Sequence, residues 1–291
     1  MDTVLTVAGA ALIVVGLLDT YQSLLHPSGT GFISTWVMRS LWALSRRIGH
    51  RLGSAIGPAI MVAVLILWVV VQVLGWALVY LPRVPAGFSY SPGIDPVRYP
   101  DFLEAAYISS VTLATLGFGD VVATNAWLRF LSPFEGLAGF ALLTAALTWF
   151  TQVYPPLSRR RSLALELKGL ADVHYPDAVP DLDPRDVTRV LDTLASQVVV
   201  ARIDFTQHAE TYYFQEEDPC LSLARQIHVA VRIQRAAASG ATPDLRLSAA
   251  RLEAALDELA SKLQGGFLTS ADDGEVFAAY AADHGRRGNS D

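Results

Sequence analysis

The sequence predicts an all-α membrane protein: three transmembrane helices, a short re-entrant helix and loop between the second and third, and a soluble helical bundle. Three observations predict it. Apolar runs at residues 3–25, 57–82 and 127–157 each exceed the roughly 20 residues needed to cross a bilayer. The composition, 52% hydrophobic and 17% charged with mean hydropathy +0.35, is apolar for a soluble protein. The charge is also unevenly placed, with 7 basic and 7 acidic residues before position 158 and 15 basic and 21 acidic from there on. The first part therefore reads as a membrane domain and the second as a soluble, mildly acidic one. The basic residues form no broad patch, which speaks against a nucleic-acid partner. The lone Cys220 leaves no intrachain disulfide among these residues and reads as a small buried apolar group.

Residues 1–28 form the first segment. The run at 3–25 is interrupted only by Asp19, and the start MDT lacks the basic flank of a signal peptide, so an uncleaved anchor is expected. Asp19 either reaches the membrane interface, which its place near the end of the run favours, or pairs with a neighbouring helix. Residues 29–55 read as an amphipathic interfacial helix. Val37, Leu41, Leu44, Ile48 and Leu52 recur every three or four residues in one stripe, with Arg39, Arg46 and His50 opposite. Arg47 and Arg51 flank it, and Trp36 and Trp42 are available as interface anchors. The alternative is a plain basic linker.

Residues 57–82 carry no charge and are the surest span. Residues 83–101, rich in Pro, Gly, Tyr and Ser, read as a loop. Residues 102–114, FLEAAYISSVTLA, form a helix too short and too polar to span, and such a segment enters a membrane only where protein or water surrounds its return limb. The third span ends at Tyr154, Pro155 and Pro156, ahead of Arg159, Arg160 and Arg161. Basic residues beside the start of the second span and the end of the third place both in the cytoplasm. The expected setting is the plasma (inner) membrane, crossed more than once, with the carboxyl end inside and the 83–101 loop and Asp120 outside.

Before the third span lies TLATLGFGD, residues 112–120. Its glycines accept dihedrals that other residues resist, which lets successive carbonyl oxygens face one way and replace the water shell of a bare cation. The stretch resembles the selectivity filter of potassium channels, whose signature is Thr, a hydrophobic residue, Gly, Tyr or Phe, Gly and usually Asp. The resemblance covers about residues 57–157, within a pore domain bounded at 56–157. It implies a filter of Thr115, Leu116, Gly117, Phe118, Gly119 and Asp120. K+ would be held by the carbonyls of Thr115, Leu116, Gly117 and Phe118 and by the Thr115 hydroxyl, with Gly117 and Gly119 left-handed. One chain supplies only part of each ring of oxygens, so a homotetramer conducting K+ passively is implied.

By the same resemblance the 29–55 helix matches the slide helix of inward-rectifier and related bacterial potassium channels. Trp127 and Arg129 would lie near the outer mouth. Gly139 falls on the inner-helix glycine at which such channels bend, although Gly136 and Gly139 serve close helix packing equally well. Phe140, Leu143 and Leu147 would face the pore below the filter, an apolar cavity that gates by dewetting. Val111 stands where some bacterial channels carry a Glu that pairs with the filter Asp, and Phe118 replaces the commoner Tyr. Glu135 is the unusual residue, because an intramembrane carboxylate is costly and tends to mark function. It either bonds Ser109, Ser110 or Thr112 behind the filter or sits near the outer interface. No Arg-rich helix suited to sensing voltage is present in the sequence.

Residues 158–291 are expected to be a cytoplasmic helical domain that gates or assembles the pore. Asp183-Pro184, Asp218-Pro219 and Thr242-Pro243 each place a capping side chain before a proline at the first helical position. Behind them run the stripes Val187, Val190, Leu191, Leu194 and Val198, then Leu223, Ile227 and Val231, then Leu252, Leu256, Leu259 and Leu263. The aromatic stretch 208–214 reads either as a helix end packed into the bundle or as a ligand or docking surface. Histidines 174, 208, 228 and 284 have no metal-ligand spacing, and no nucleophile and base pair stands out. Neither an enzyme nor a cofactor is expected, K+ being the transported ion. The partners are further copies of the chain, the bilayer, K+ and an unidentified regulatory ligand. Two other readings stay open: a non-conducting membrane sensor or receptor, and a subunit of a K+ uptake transporter. The second is opposed by the single intact filter, since such transporters carry four degenerate ones.

Overall fold

The computed structural model describes residues 1–24, 26, 31–268 and 276–285. Position 25, where the first run ends, and positions 29 and 30, where the next helix was expected to begin, lie outside them. The elements in order are α1 (Asp2–Leu24), α2 (Phe32–Arg47), α3 (Ile56–Tyr80), β1 (Phe88–Tyr90), α4 (Asp101–Leu113), β2 (Val121–Ala123), α5 (Ala126–Asp172), α6 (Tyr175–Ala178), α7 (Pro184–Gln207), α8 (Leu223–Ala238), α9 (Pro243–Gly266) and α10 (Val276–Asp283). Three helical stretches, Asp2–Leu24, Gly53–Arg83 and Ala126–Asp172, are long and apolar enough to cross a membrane. Contacts divide the chain into two units, Met1–Val37 with Val62–Thr151 and Met38–Met61 with Gln152–Asp291. The division runs through α2, α3 and α5.

In the first unit α1 packs closely on α3. A Cβ on Gly9 would stand 2.5 Å from the Gly75 carbonyl oxygen, so only glycine allows the two backbones this near. Asp19 is buried, and the interfacial reading of it is replaced by the helix-pairing one. Its carboxylate accepts from the backbone N–H groups of Ile33 at 2.8 Å and Ser34 at 3.2 Å, from the Ser34 hydroxyl, and from Trp68 Nε1 at 2.9 Å. It satisfies the free amides at the start of α2 while tying α1 to α3, a use for a buried charge that burial without partners would forbid.

Trp76, Tyr80, Phe88, Ile108 and Leu128 form a core that joins α3, β1, α4 and the start of α5. The segment 83–101, expected to be loop throughout, contains β1, which pairs antiparallel with β2 in the register Ser89 opposite Val122. β-branched Val121 and Val122 favour the extended conformation, and this two-stranded ribbon holds the segment next to Asp120.

α5 does not end at Tyr154–Pro156 but continues to Asp172. Two prolines remove two intrahelical hydrogen bonds, a cost of several kcal/mol. Interactions in the second unit offset it. Leu157, Leu163 and Leu167 are fully buried, Arg159 bonds Asp204, Arg160 donates to the carbonyls of Thr211 and Phe214, and Arg161 donates to Glu216.

The second unit packs α7, α8, α9 and α10 against one another. The predicted caps form at Asp183, which accepts from Arg185 N, and at Thr242, which accepts from Leu245 N. Asp218 instead opens the short 3-10 turn Pro219–Leu221, and α8 starts after Ser222. Residues Ala209–Tyr213 form a buried 3-10 turn whose aromatics enter the core, with Tyr212 stacked on Phe267 at 4.2 Å. Trp42, expected as an interface anchor, is buried here and donates Nε1–H to Asp283, which also accepts from Arg46 and Tyr212. The predicted stripe residues Leu44, Ile48 and Leu52 are exposed, whereas Ser34, Met38, Trp42 and Ser45 are buried.

Candidate functional site

The site is built on the segment between α4 and β2. α4 ends because Thr115 and Leu116 leave its ladder: Ala114 N–H still reaches Ser110 four residues back, but the N–H groups of Thr115 and Leu116 turn back to Thr112 and Val111, three and five residues back. From there the backbone alternates in handedness. Thr115, Gly117 and Gly119 have φ of 55°, 54° and 75°, and Leu116 and Phe118 are not positive. Alternation of this kind turns successive peptide planes the same way, so that the carbonyls share one side. Gly117 and Gly119 are left-handed as expected from their lack of a Cβ. Thr115 was not expected to be, and a β-branched residue held there carries about 1–3 kcal/mol of strain, a feature that clusters at functional segments.

Among the described residues nothing donates a hydrogen bond to the carbonyls of Thr115, Leu116, Gly117 or Phe118, and all four residues are exposed. Four consecutive unengaged carbonyls are uncommon, because backbone acceptors find partners wherever they can. They are available to ligate a hard cation. The strand is braced at its far end: Tyr107 donates its hydroxyl to Asp120, Asp120 Oδ1 accepts from Val121 N at 3.0 Å, and Ser91 N donates to the Asp120 carbonyl at 2.8 Å. Tyr107 lies one helical turn before Val111 and supplies the contact to Asp120 that Val111 lacks.

Behind this strand Glu135 is completely buried and bonds on both oxygens. Ser109 Oγ donates to Oε1 and Tyr80 Oη to Oε2, each at 2.5 Å. The polar-network reading therefore stands, with Ser109 as partner. Ser110 and Thr112 bond their own helix at Ala106 and Ile108. Tyr80, which the sequence did not single out, is the second partner, and Glu135 joins α3, α4 and α5. Glu135→Leu would leave two buried hydroxyls without acceptors and cost about 2–4 kcal/mol of stability, whereas Glu135→Gln keeps one acceptor and should lose less than half of that. Thermal unfolding of the two variants in detergent measures the difference.

Below the strand, an apolar groove of about 410 Å³ is lined by Leu65, Trp68, Phe140, Leu143 and Ala146, with Thr115 and the end of α4 above. Phe140, Leu143 and Leu147 are each more than 60% exposed on α5, although Leu147 does not line this groove. The carbonyl end of α4 faces it, and a helix C-terminus carries negative partial charge that suits a cation. Gly139 sits against the same end, where a Cβ would lie 1.8 Å from the Leu113 carbonyl oxygen.

The family described as "Ion channel" matches residues 64–154. This segment is similar to pore-loop potassium channels. Human "Potassium channel subfamily K member 16" is 34% identical over 126 residues, which cover 40% of this chain and 38% of that protein. The chain thus matches well under half of that relative's length. No solved structure matches it. Within the pore-loop segment the match takes in Tyr80, Tyr107, the 115–120 strand, Glu135 and Gly139. Tyr107 could have been found by its four-residue step from Val111 on α4, whereas nothing local in the sequence points Tyr80 at Glu135.

Proposed function

We propose that the chain is one subunit of a homotetrameric, potassium-selective channel that conducts K+ passively. The observation that carries this is the run of four unengaged carbonyls at Thr115–Phe118 on a backbone of alternating handedness. One such strand surrounds a cation on one side only, and four around an axis complete the shell that replaces water. On this reading α4 is a re-entrant pore helix, α3 and α5 are the outer and inner helices, and Phe140, Leu143 and Leu147 line the cavity. The membrane is the plasma (inner) membrane, residues 158–291 are cytoplasmic, and that part gates or assembles the pore. The exposed stripe of Leu44, Ile48 and Leu52 on and after α2 supports its lying along the membrane surface.

Purified protein in liposomes should pass K+ in strong preference to Na+ and be blocked by barium. Equal flux of the two ions, or a monomer or dimer by native mass spectrometry, would overturn the proposal. Tyr107→Phe tests the brace. Removing a hydrogen bond to a carboxylate costs about 1.5–3 kcal/mol, so the lifetime of the conducting state should fall by roughly tenfold or more in single-channel records while K+ over Na+ selectivity persists.

A further inference from the structure

The second unit contains a groove of about 690 Å³ between the end of α5, α6, the turn at Pro219–Leu221 and α8. That volume lies within the range of small-ligand sites. Its lining carries three permanent cations against two carboxylates, Asp172 and Asp177, although residues 158–291 are acidic overall. α8 contributes Arg225, His228 and Arg232, at steps of three and four and so on one face, and α5 contributes Lys168. Two of these cations are matched, Lys168 by Asp172 and Arg232 by Asp177 at 3.0 Å. Arg225 is not: among the described residues no oxygen accepts from its guanidinium, while Arg159, Arg160, Arg161 and Arg251 all find one. His228 donates Nδ1–H to the Arg225 carbonyl at 2.7 Å, and among the described residues its Nε2 has no hydrogen-bond partner.

We propose that this groove binds a phosphate-bearing small molecule of nucleotide size. The planar guanidinium of Arg225 takes two phosphate oxygens in its fork, and His228 and Lys168 supply further donors. A neutral or apolar ligand would leave Arg225 uncompensated in the groove. The imidazole of His228 is held below its usual range by burial, against the hydrogen bond to the Arg225 carbonyl, with the Arg232 and Arg225 charges adding to the depression. From the other elements it is faced by Lys168 and Asp172, by His174 and Asp177, and by Cys220. An anion at Arg225 favours the imidazolium, so binding takes up a proton and tightens as pH falls toward the depressed titration range of the free imidazole.

The inference is independent of conduction, because binding is read without ion flux. ATP and inorganic pyrophosphate are titrated calorimetrically into the purified full chain in detergent, in two buffers of different ionisation enthalpy. Expected are one site per chain, proton uptake, and at least roughly tenfold weaker binding in Arg225→Gln with an unchanged melting temperature. Absence of binding at millimolar ATP and pyrophosphate, or equal affinity in Arg225→Gln, overturns the proposal. Flotation with phosphatidate-containing vesicles distinguishes a lipid source of the same chemistry. Vesicle binding that depends on Arg225, with no response to ATP or pyrophosphate, would also overturn the small-molecule assignment.

Discussion

Gly117→Ala is expected to abolish K+ flux while leaving the folded protein intact. Gly117 sits at φ 54°, and a Cβ added there would meet no atom within 4 Å in the isolated chain, so the penalty is conformational and does not come from a clash. An L-residue in the left-handed region costs about 1–2 kcal/mol. In the proposed tetramer that cost is incurred four times, about 4–8 kcal/mol against the conducting arrangement, or roughly a thousandfold at the lower bound. The cheaper response is to flip the peptide and return residue 117 to negative φ, which takes the Leu116 carbonyl off the shared side and removes one ring of ligands. The outer packing does not depend on that peptide, so expression and melting temperature should stay close to the parent. Liposome flux with K+ and Na+ checks it, and retained K+ flux would refute the filter assignment.

The left-handed glycines of the proposed filter were legible in the sequence because their chemistry is local: two glycines at the right interval dictate two left-handed residues without help from the rest of the fold. The left-handed Thr115 was not legible, since its own preference opposes it and the turn at the end of α4 imposes it. Residues whose roles depend on distant partners were likewise hidden. Asp19 looked interfacial because it lies near the end of an apolar run, yet its position is set by the amides of Ile33 and Ser34 and by Trp68. The stripe on α2 was counted from apolar residues, whereas its buried side includes Ser34 and Ser45, which burial accepts because their hydroxyls are bonded. The double proline in α5 carried a true local signal, a penalty against helix, that the contacts of Arg159, Arg160 and Arg161 outweighed. Glu135 was identified correctly as anomalous because an apolar span makes a carboxylate conspicuous, and one of its two partners lay among the hydroxyls near it in the folded chain.

Gly139→Ala should both destabilise the protein and stop conduction, and its neighbour Gly136→Ala should do neither. The sequence left two uses for Gly139, bending and close packing, and they predict opposite signs. If bending alone required glycine, alanine would stiffen the helix and raise stability by up to about 1 kcal/mol while reducing openings. In the structure the Cβ would stand 1.8 Å from the Leu113 carbonyl oxygen and 2.8 Å from its carbon, both backbone atoms that no rotamer change can move. α4 or α5 must shift by more than an ångström, at a cost of about 1–3 kcal/mol or more, well above the helix-propensity gain. Leu113 is two residues from Thr115, so the displacement enters the carbonyl strand directly. At Gly136 the Cβ would lie 3.7 Å from the Thr112 carbonyl, an ordinary contact, and alanine should be neutral or slightly stabilising with flux retained. A Gly139→Ala protein that melts at or above the parent temperature would restore the bending account and remove the packing one.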